Sequence, residues 1–263
     1  MSTFVLVHGA WQGPRTWDWL APLLQKHGHH IIAPSLTGLG DDAAHLAPSV
    51  DLPMHIDDVT REITQRGLHD VILIGHSYAG MIITGVADRK REQLRHLIYL
   101  DAFVPESGQS VLDLLPSDIQ SAFRDLARTQ GDGWRLPASE ALLGLWGLAP
   151  GTACDYVRER LSDFSLRCFE QELSFDRDLN DLPATYVQAV AENYPGREVF
   201  KPFAESARKR GWDCHTVQTG HQCQAEAPEA VASILLSCTA GNSGTDTSGT
   251  RSLHPNSTPA NLM

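Results

Sequence analysis

A chain of 263 residues with 42% hydrophobic and 20% charged residues is long enough for one sizeable core, and an α/β fold of this length is routinely a single domain. The formal net charge of −11 excludes the basic face that nucleic acid or an anionic membrane surface would require. Five cysteines (Cys154, Cys168, Cys214, Cys223 and Cys238), odd in number and without a C-x-x-C pair, exclude a disulfide framework and a zinc site, and point to a reducing compartment.

The run Phe4-Val5-Leu6-Val7 reads as a short buried strand that stops at His8-Gly9-Ala10-Trp11. It never reaches the length of a signal peptide's apolar stretch or a membrane span, so a cytoplasmic protein is expected. Apolar positions Trp17, Leu20, Leu23 and Leu24 predict a helix over 17–27, with Gly28 as its stop. His27, His29 and His30 follow one another through a turn without carboxylate or cysteine company, and read as solvated side chains rather than metal ligands. Ile31-Ile32-Ala33-Pro34 is a further strand, and 51–66 a helix whose early acids (Asp57, Asp58) and late arginines (Arg61, Arg66) match its dipole.

Val71-Ile72-Leu73-Ile74 then reads as a strand buried on both faces, broken by Gly75-His76-Ser77-Tyr78-Ala79-Gly80 and followed by a helix beginning near Met81. A serine at such a break projects its Oγ above the carboxyl edge of the sheet, with free helix N–H groups beside it: a nucleophile elbow. The G-x-S-x-G pattern is met at Gly75 and Ser77 but not at Ala79, where the glycine is displaced to Gly80. The backbone N–H groups of Ala10 and Tyr78 are the expected oxyanion donors, and Gly9, Trp11 and His76 beside them are expected to contact substrate.

Strand 96–100 ends in Asp101. From 106 to 181 no buried strand is evident, and amphipathic helical pieces carry scattered aromatics (Phe123, Trp134, Trp146, Tyr156, Phe164, Phe169, Phe175), as in a helical cap over a site. The sheet resumes at Thr185 to Val190, followed by Glu192, then a helix from about 200 to 210 and a last strand, Cys214 to Val217, running into Thr219-Gly220-His221. A helix over 227–236, with Pro228 near its start, closes the fold. The expected organisation is an α/β core, a mostly parallel sheet covered on both faces, over 1–105 and 182–238, a cap over 106–181, and a disordered Ser/Thr/Gly-rich tail over 239–263.

Acyl transfer needs a nucleophile, a base, a carboxylate that orients the base, and donors for the oxyanion. Ser77 and His221 fall in the order expected of nucleophile and base, each after a different strand. Two acids compete for the third role: Asp101, at the end of a strand, and Glu192, in the loop after the next one.

The stretches FVLVHGAW (4–11), GHSYAGM (75–81), LDAFVPESG (100–108), and TGH with EAPEAV (219–231) resemble the α/β-hydrolase superfamily. The chain is similar in particular to bacterial esterases related to the plant methylesterase and hydroxynitrile lyase group. That resemblance implies an α/β-hydrolase fold with an inserted helical cap and a cofactor-free hydrolase of a small-molecule ester-type substrate, to which the aromatic-rich cap adds an apolar or aromatic character; no metal is expected, and the expected state is a monomer or homodimer. It also implies catalysis by Ser77 and His221. Plant methylesterases carry the acid at the position of Glu192, dehalogenases of the superfamily at that of Asp101, and this chain has one at each. The lyases carry a threonine at the position of Gly9 and a lysine at that of Gln222; both departures favour a hydrolase. Lactone, carbamate or amide hydrolysis, a lyase, and a non-catalytic binding protein are the alternatives.

Overall fold

The computed structural model describes residues 1–177 and 181–238, so the expected tail over 239–263 lies outside the described residues. Six of the apolar runs form one parallel sheet: β1 (Thr3–Val7), β2 (His30–Ile32), β3 (Val71–His76), β4 (Leu94–Leu100), and two further strands described below. β3 has every residue buried, as a strand of continuous Val, Ile and Leu requires when both sheet faces are covered. β1 and β4 flank it, and the two ends of the sheet are the three-residue β2 and a half-exposed last strand.

The helices return the chain between these strands. α1 (Ala21–Lys26) is shorter than the sequence predicts, because Pro14 to Trp17 forms a separate 3₁₀ turn and Pro22 sits in the first helical turn. α2 (Leu52–Gln65) starts where expected, capped by Asp51, whose side chain accepts from the Met54 N–H. α3 (Ala79–Lys90) begins directly after Ser77-Tyr78 and is buried along most of its length. α1 packs with the closing helix at the end of the chain, and α2 with α3.

Between β4 and the next strand of the sheet lies the insertion. It contains α4 (Ser117–Gln130), α5 (Glu140–Leu145), α6 (Thr152–Arg158) and α7 (Arg167–Glu170). The expectation of no buried strand here needs correction: β5 (Arg135–Leu136) and β6 (Phe164–Ser165) form an antiparallel ribbon in which Leu136, Phe164 and Ser165 are buried. Two-residue strands carry no readable periodicity, which hides them in the sequence.

β7 (Ala184–Ala189) pairs with β4, and β8 (Asp213–Val217) completes the order β2-β1-β3-β4-β7-β8. α8 (Arg197–Lys209) joins β7 to β8, and α9 (Cys223–Glu226) and α10 (Pro228–Ser237) follow. All six strands run parallel, so their carboxyl ends share one edge, and Ser77, Asp101 and the loops after β7 and β8 meet there. Among the described residues, no helix is long and apolar enough to cross a membrane, and no His/Cys/Asp/Glu group could hold a metal ion.

Candidate active site

Ser77 occupies the left-handed backbone region at φ 58°. A non-glycine residue there costs on the order of 1–3 kcal/mol, which the surroundings must offset. They do so through both backbone polar groups: the Ser77 N–H donates to the Leu100 carbonyl (3.2 Å), and the Ser77 carbonyl accepts from Gly80 (3.1 Å) and Phe103 (3.2 Å). The turn is thus bolted to the end of β4 and the loop beyond it.

Close packing around the turn explains the shifted glycine. A Cβ on Gly80 would stand 1.9 Å from the Phe103 carbonyl oxygen, and one on Gly75 would stand 2.6 Å from the Ala79 carbonyl oxygen. Position 80 meets backbone and excludes a side chain, whereas Ala79 fits as a fully buried methyl.

The loop after β1 reaches the same point. A Cβ on Gly9 would lie 3.0 Å from Ser77 Cβ, so the Gly9-Ala10 backbone runs against the serine. Among the described residues, neither the Ala10 nor the Tyr78 backbone N–H has a hydrogen-bond acceptor. Tyr78 is fixed by its side chain: its hydroxyl donates to His55 Nδ1 (3.1 Å), while His55 Nε2–H donates to the Thr37 carbonyl (3.0 Å).

Trp11, in the left-handed region at φ 61°, joins this loop to the insertion. Its indole N–H donates to Leu136 O (3.0 Å), its carbonyl accepts from the Ser162 N–H (2.9 Å), and its ring packs on Phe123, Phe164 and Phe169.

His221 lies in the loop after β8. Its Nδ1 is 2.7 Å from Asp101 Oδ2, with both side chains almost wholly buried. Asp101, like Ser77, has a positive φ (43°) and sits one residue beyond its strand. The Ala189 N–H donates to Asp101 Oδ1 (3.1 Å), and the Tyr194 hydroxyl donates to Oδ2 (2.9 Å) while also standing 3.0 Å from His221 Nδ1. Glu192 is exposed, and no hydrogen bond or ion pair ties it to His221 among the described residues. Of the two acids legible in the sequence, only Asp101 is brought to the histidine. The reason is direction: the loop after β7 carries Glu192 outward to solvent and turns Tyr194 inward.

His76 does not line the cavity as expected. It is fully buried behind His221, where its Nε2–H donates to the His221 carbonyl (2.8 Å), and burial holds its imidazole down at about 3. Gly9 also stays outside the lining, beneath Ser77, whereas Trp11 is part of it.

Burial acts on the His221–Asp101 pair as well, depressing the His221 imidazole and raising the Asp101 carboxyl, while the Ala189 and Tyr194 donors pull the carboxyl back down. A neutral imidazole at neutral pH follows, as a general base requires.

Ser77 and His221 open into one cavity of about 70 Å³. Its walls are Trp11, Phe103, Phe123, Trp146, Phe169, Tyr194 and Phe200, with aliphatic residues between them. The insertion supplies Phe123, Trp146 and Phe169, and is anchored beside His221: the His221 N–H donates to the Trp146 carbonyl (2.8 Å), and Asn193 Nδ2 donates to the Gly147 carbonyl (3.0 Å). Tyr194 and the Trp146 carbonyl are the functional contacts that sequence reasoning misses. Neither carries a motif, and the second is a main-chain atom.

A strained serine after a buried parallel strand, a histidine paired with a buried acid, and free N–H groups beside the serine define a hydrolase-type site. The model of the alpha/beta hydrolase family matches residues 4–234, and the chain belongs to that family. It is 35% identical over 242 residues to a carbendazim hydrolyzing esterase from a Nocardioides species, across 89% of this chain and 98% of that protein. A pyrethroid hydrolase of Sphingobium wenxiniae is 33% identical over 109 residues, covering 41% of this chain and 38% of the relative. Plant relatives include methylesterase 2 and an alpha-hydroxynitrile lyase of Arabidopsis thaliana. Among solved structures, an extracellular alpha/beta-hydrolase from a Paenibacillus species superposes with a TM-score of 0.78 at 24% identity, over 90% of this chain and 98% of its own. Its relatives in that family thus include named esterases and hydrolases.

Proposed function

We propose that the protein hydrolyses a carboxylic ester, or a closely related acyl bond, of a small and largely apolar substrate through an acyl-enzyme on Ser77. The observation that carries the reading is the buried Asp101–His221 pair, 2.7 Å apart, opening into the same aromatic cavity as a serine held at positive φ.

In the proposed cycle, His221 Nε2 takes the Ser77 hydroxyl proton as Oγ attacks the carbonyl carbon. The Ala10 and Tyr78 N–H groups receive the negative oxygen of the tetrahedral intermediate, and Asp101 stabilises the imidazolium that forms. The imidazolium then protonates the leaving alcohol. Water, deprotonated by His221, attacks the acyl-enzyme in turn and releases the acid. No cofactor or metal enters this account.

The cavity sets the substrate. A space walled by seven aromatic side chains holds a flat apolar acyl or aryl group, and the region 106–181 acts as the cap that keeps it dry. The relatives named for hydrolysing carbendazim and pyrethroid support an aromatic substrate for this chain. Absence of a side chain at Gly9 and of a cation at Gln222 argues against the lyase reading.

The test is turnover of a panel of aryl esters, methyl esters, lactones and carbamates by the wild type and Ser77→Ala. Hydrolysis of at least one class, lost with Ser77→Ala, is the expected result. A folded wild type inert on the whole panel, or a Ser77→Ala variant that still turns over, contradicts it.

A further inference from the structure

Three hydrogen-bonding atoms meet at the back of the base, where a triad has two. The Tyr194 hydroxyl lies 2.9 Å from Asp101 Oδ2 and 3.0 Å from His221 Nδ1, and those two atoms are 2.7 Å from each other. Tyr194 is 2% exposed, and its ring stacks near His221 with centroids 5.8 Å apart. Burial and the neighbouring Asp101 charge hold its phenol well above the ordinary tyrosine value, so it stays a neutral hydroxyl throughout the working range.

Counting protons among these atoms separates two states. When Asp101 is ionised, Oδ2 has lone pairs for two donors, the imidazole Nδ1–H and the phenol O–H. The Nε2 lone pair is then left free on the Ser77 side. When Asp101 is protonated, Oδ2 offers less, and the phenol proton can turn to Nδ1 instead. The proton of a neutral imidazole then sits on Nε2, and the ring cannot accept from the serine. Tyr194 thus has a partner in either state, and the charge on Asp101 decides which tautomer it supports.

Resting on the hydrolase reading above, we propose that Tyr194 is a positioning residue: its hydroxyl holds Asp101 as an accepting carboxylate and thereby selects the Nδ1–H tautomer of His221.

The location supports this role. Tyr194 is the inward-facing residue of the loop whose acidic candidate, Glu192, faces solvent, and it also lines the cavity beside Ser77. Its backbone is packed under the insertion, since a Cβ on Gly147 would stand 2.7 Å from Tyr194 Cα. The other titratable groups around the pair are His76 from β3, Tyr186 from β7, and Cys223 and Glu226 from α9. Burial keeps His76, Tyr186 and Cys223 uncharged at neutral pH, and Glu226 accepts from the Gly220 N–H (3.2 Å). The Tyr194 hydroxyl and the Ala189 N–H are therefore the donors that oppose the desolvation of Asp101 alongside His221 itself.

The sign of the effect follows. A donor to the carboxylate favours its charged form, so removing it raises the pH at which Asp101 ionises and moves the acid limb of kcat/KM upward. One hydrogen bond to a charged group corresponds to an upward shift of about one pH unit.

The experiment compares wild type, Tyr194→Phe and Tyr186→Phe. Tyr186 is the control, because its buried hydroxyl donates to the Ala102 carbonyl (2.9 Å) and does not reach the pair. Two readouts are taken: kcat and KM for an aryl ester across pH, and ¹⁵N NMR of histidine-labelled protein, with His221 assigned from the spectrum of His221→Gln. For Tyr194→Phe we expect an acid limb raised by about one unit, KM within about twofold of wild type, and a gain of the Nε2–H tautomer at pH 7. Tyr186→Phe should superpose on wild type. An acid limb and tautomer unchanged in Tyr194→Phe would overturn the proposal, as would a uniform loss of rate at every pH with the tautomer intact. If the wild type hydrolyses no ester, the hydrolase reading fails separately. The NMR comparison then decides alone: a tautomer change in Tyr194→Phe supports the positioning role, and none overturns it.

Discussion

Ser77 and His221 face one cavity, yet they are held there by opposite means. The serine is fixed by main chain: a left-handed φ, three backbone hydrogen bonds to the end of β4, the loop beyond it and the start of α3, and glycines where helix and loop touch. The histidine is fixed by side chains and by the insertion: Asp101 and Tyr194 at its Nδ1, His76 beneath its carbonyl, and Trp146 at its N–H. A backbone-built element fails by losing the fold. An element built from side chains can fail by losing chemistry while the fold stays.

The largest expected effect breaks the side-chain half. Asp101→Asn should lower kcat on the order of 10⁴-fold, because the amide favours the wrong histidine tautomer. Circular dichroism should show the sheet and helices retained. A loss below about tenfold would remove Asp101 from the proposed triad.

Gly80→Ala breaks the main-chain half. Its Cβ would fall 1.9 Å from the Phe103 carbonyl oxygen, a contact that only backbone movement relieves. A stability loss of about 1–3 kcal/mol in urea unfolding is expected, together with a displaced serine and reduced turnover. Wild-type stability and rate in this variant would show that the close approach does not hold the elbow.

Acid stability reports on the buried ring groups that neither half titrates in catalysis. Burial holds the His8 and His76 imidazoles down at about 3, whereas an unfolded histidine titrates near 6.5. A depressed imidazole means that the unfolded chain binds the extra proton first. These two histidines should therefore add no pH dependence above about pH 6.5 and lower the unfolding free energy as pH drops from there towards 3, by on the order of 2 kcal/mol each at pH 5, an effect the raised Asp101 carboxyl offsets only in part. Urea titrations at pH 5 and pH 7 check this, and equal midpoints would contradict it.

The smallest effect sharpens the choice of acid. Glu192→Gln removes an exposed charge, and should leave kcat/KM within about twofold of wild type and stability within about 0.5 kcal/mol. A large loss would restore Glu192 as a partner of His221 in a conformation other than this one.

The two halves also differ in how far they could be read from sequence. Val71 to Ile74 followed by Gly75-His76-Ser77 carries strand, turn and helix start in consecutive residues, so the elbow was legible locally. So was the parallel sheet, whose strands are continuous apolar runs. The acid–base half joins residues 101, 194 and 221, and its geometry depends on which way a loop turns. Sequence spacing leaves Asp101 and Glu192 equivalent. Only the inward turn of the loop after β7 separates them, and the same turn brings in Tyr194, which no pattern marks. The ribbon of β5 and β6 was hidden for a related reason, since two residues per strand leave no period to detect.

The central claim is that Ser77 is a nucleophile activated by His221. Intact-mass and peptide-mass analysis after treatment with a fluorophosphonate tests it most directly, in wild type, Ser77→Ala and His221→Ala. The account predicts a single adduct on Ser77 in the wild type, none in Ser77→Ala, and a labelling rate strongly reduced in His221→Ala. No adduct on folded wild type, or labelling of Ser77 at an unchanged rate without His221, would contradict it.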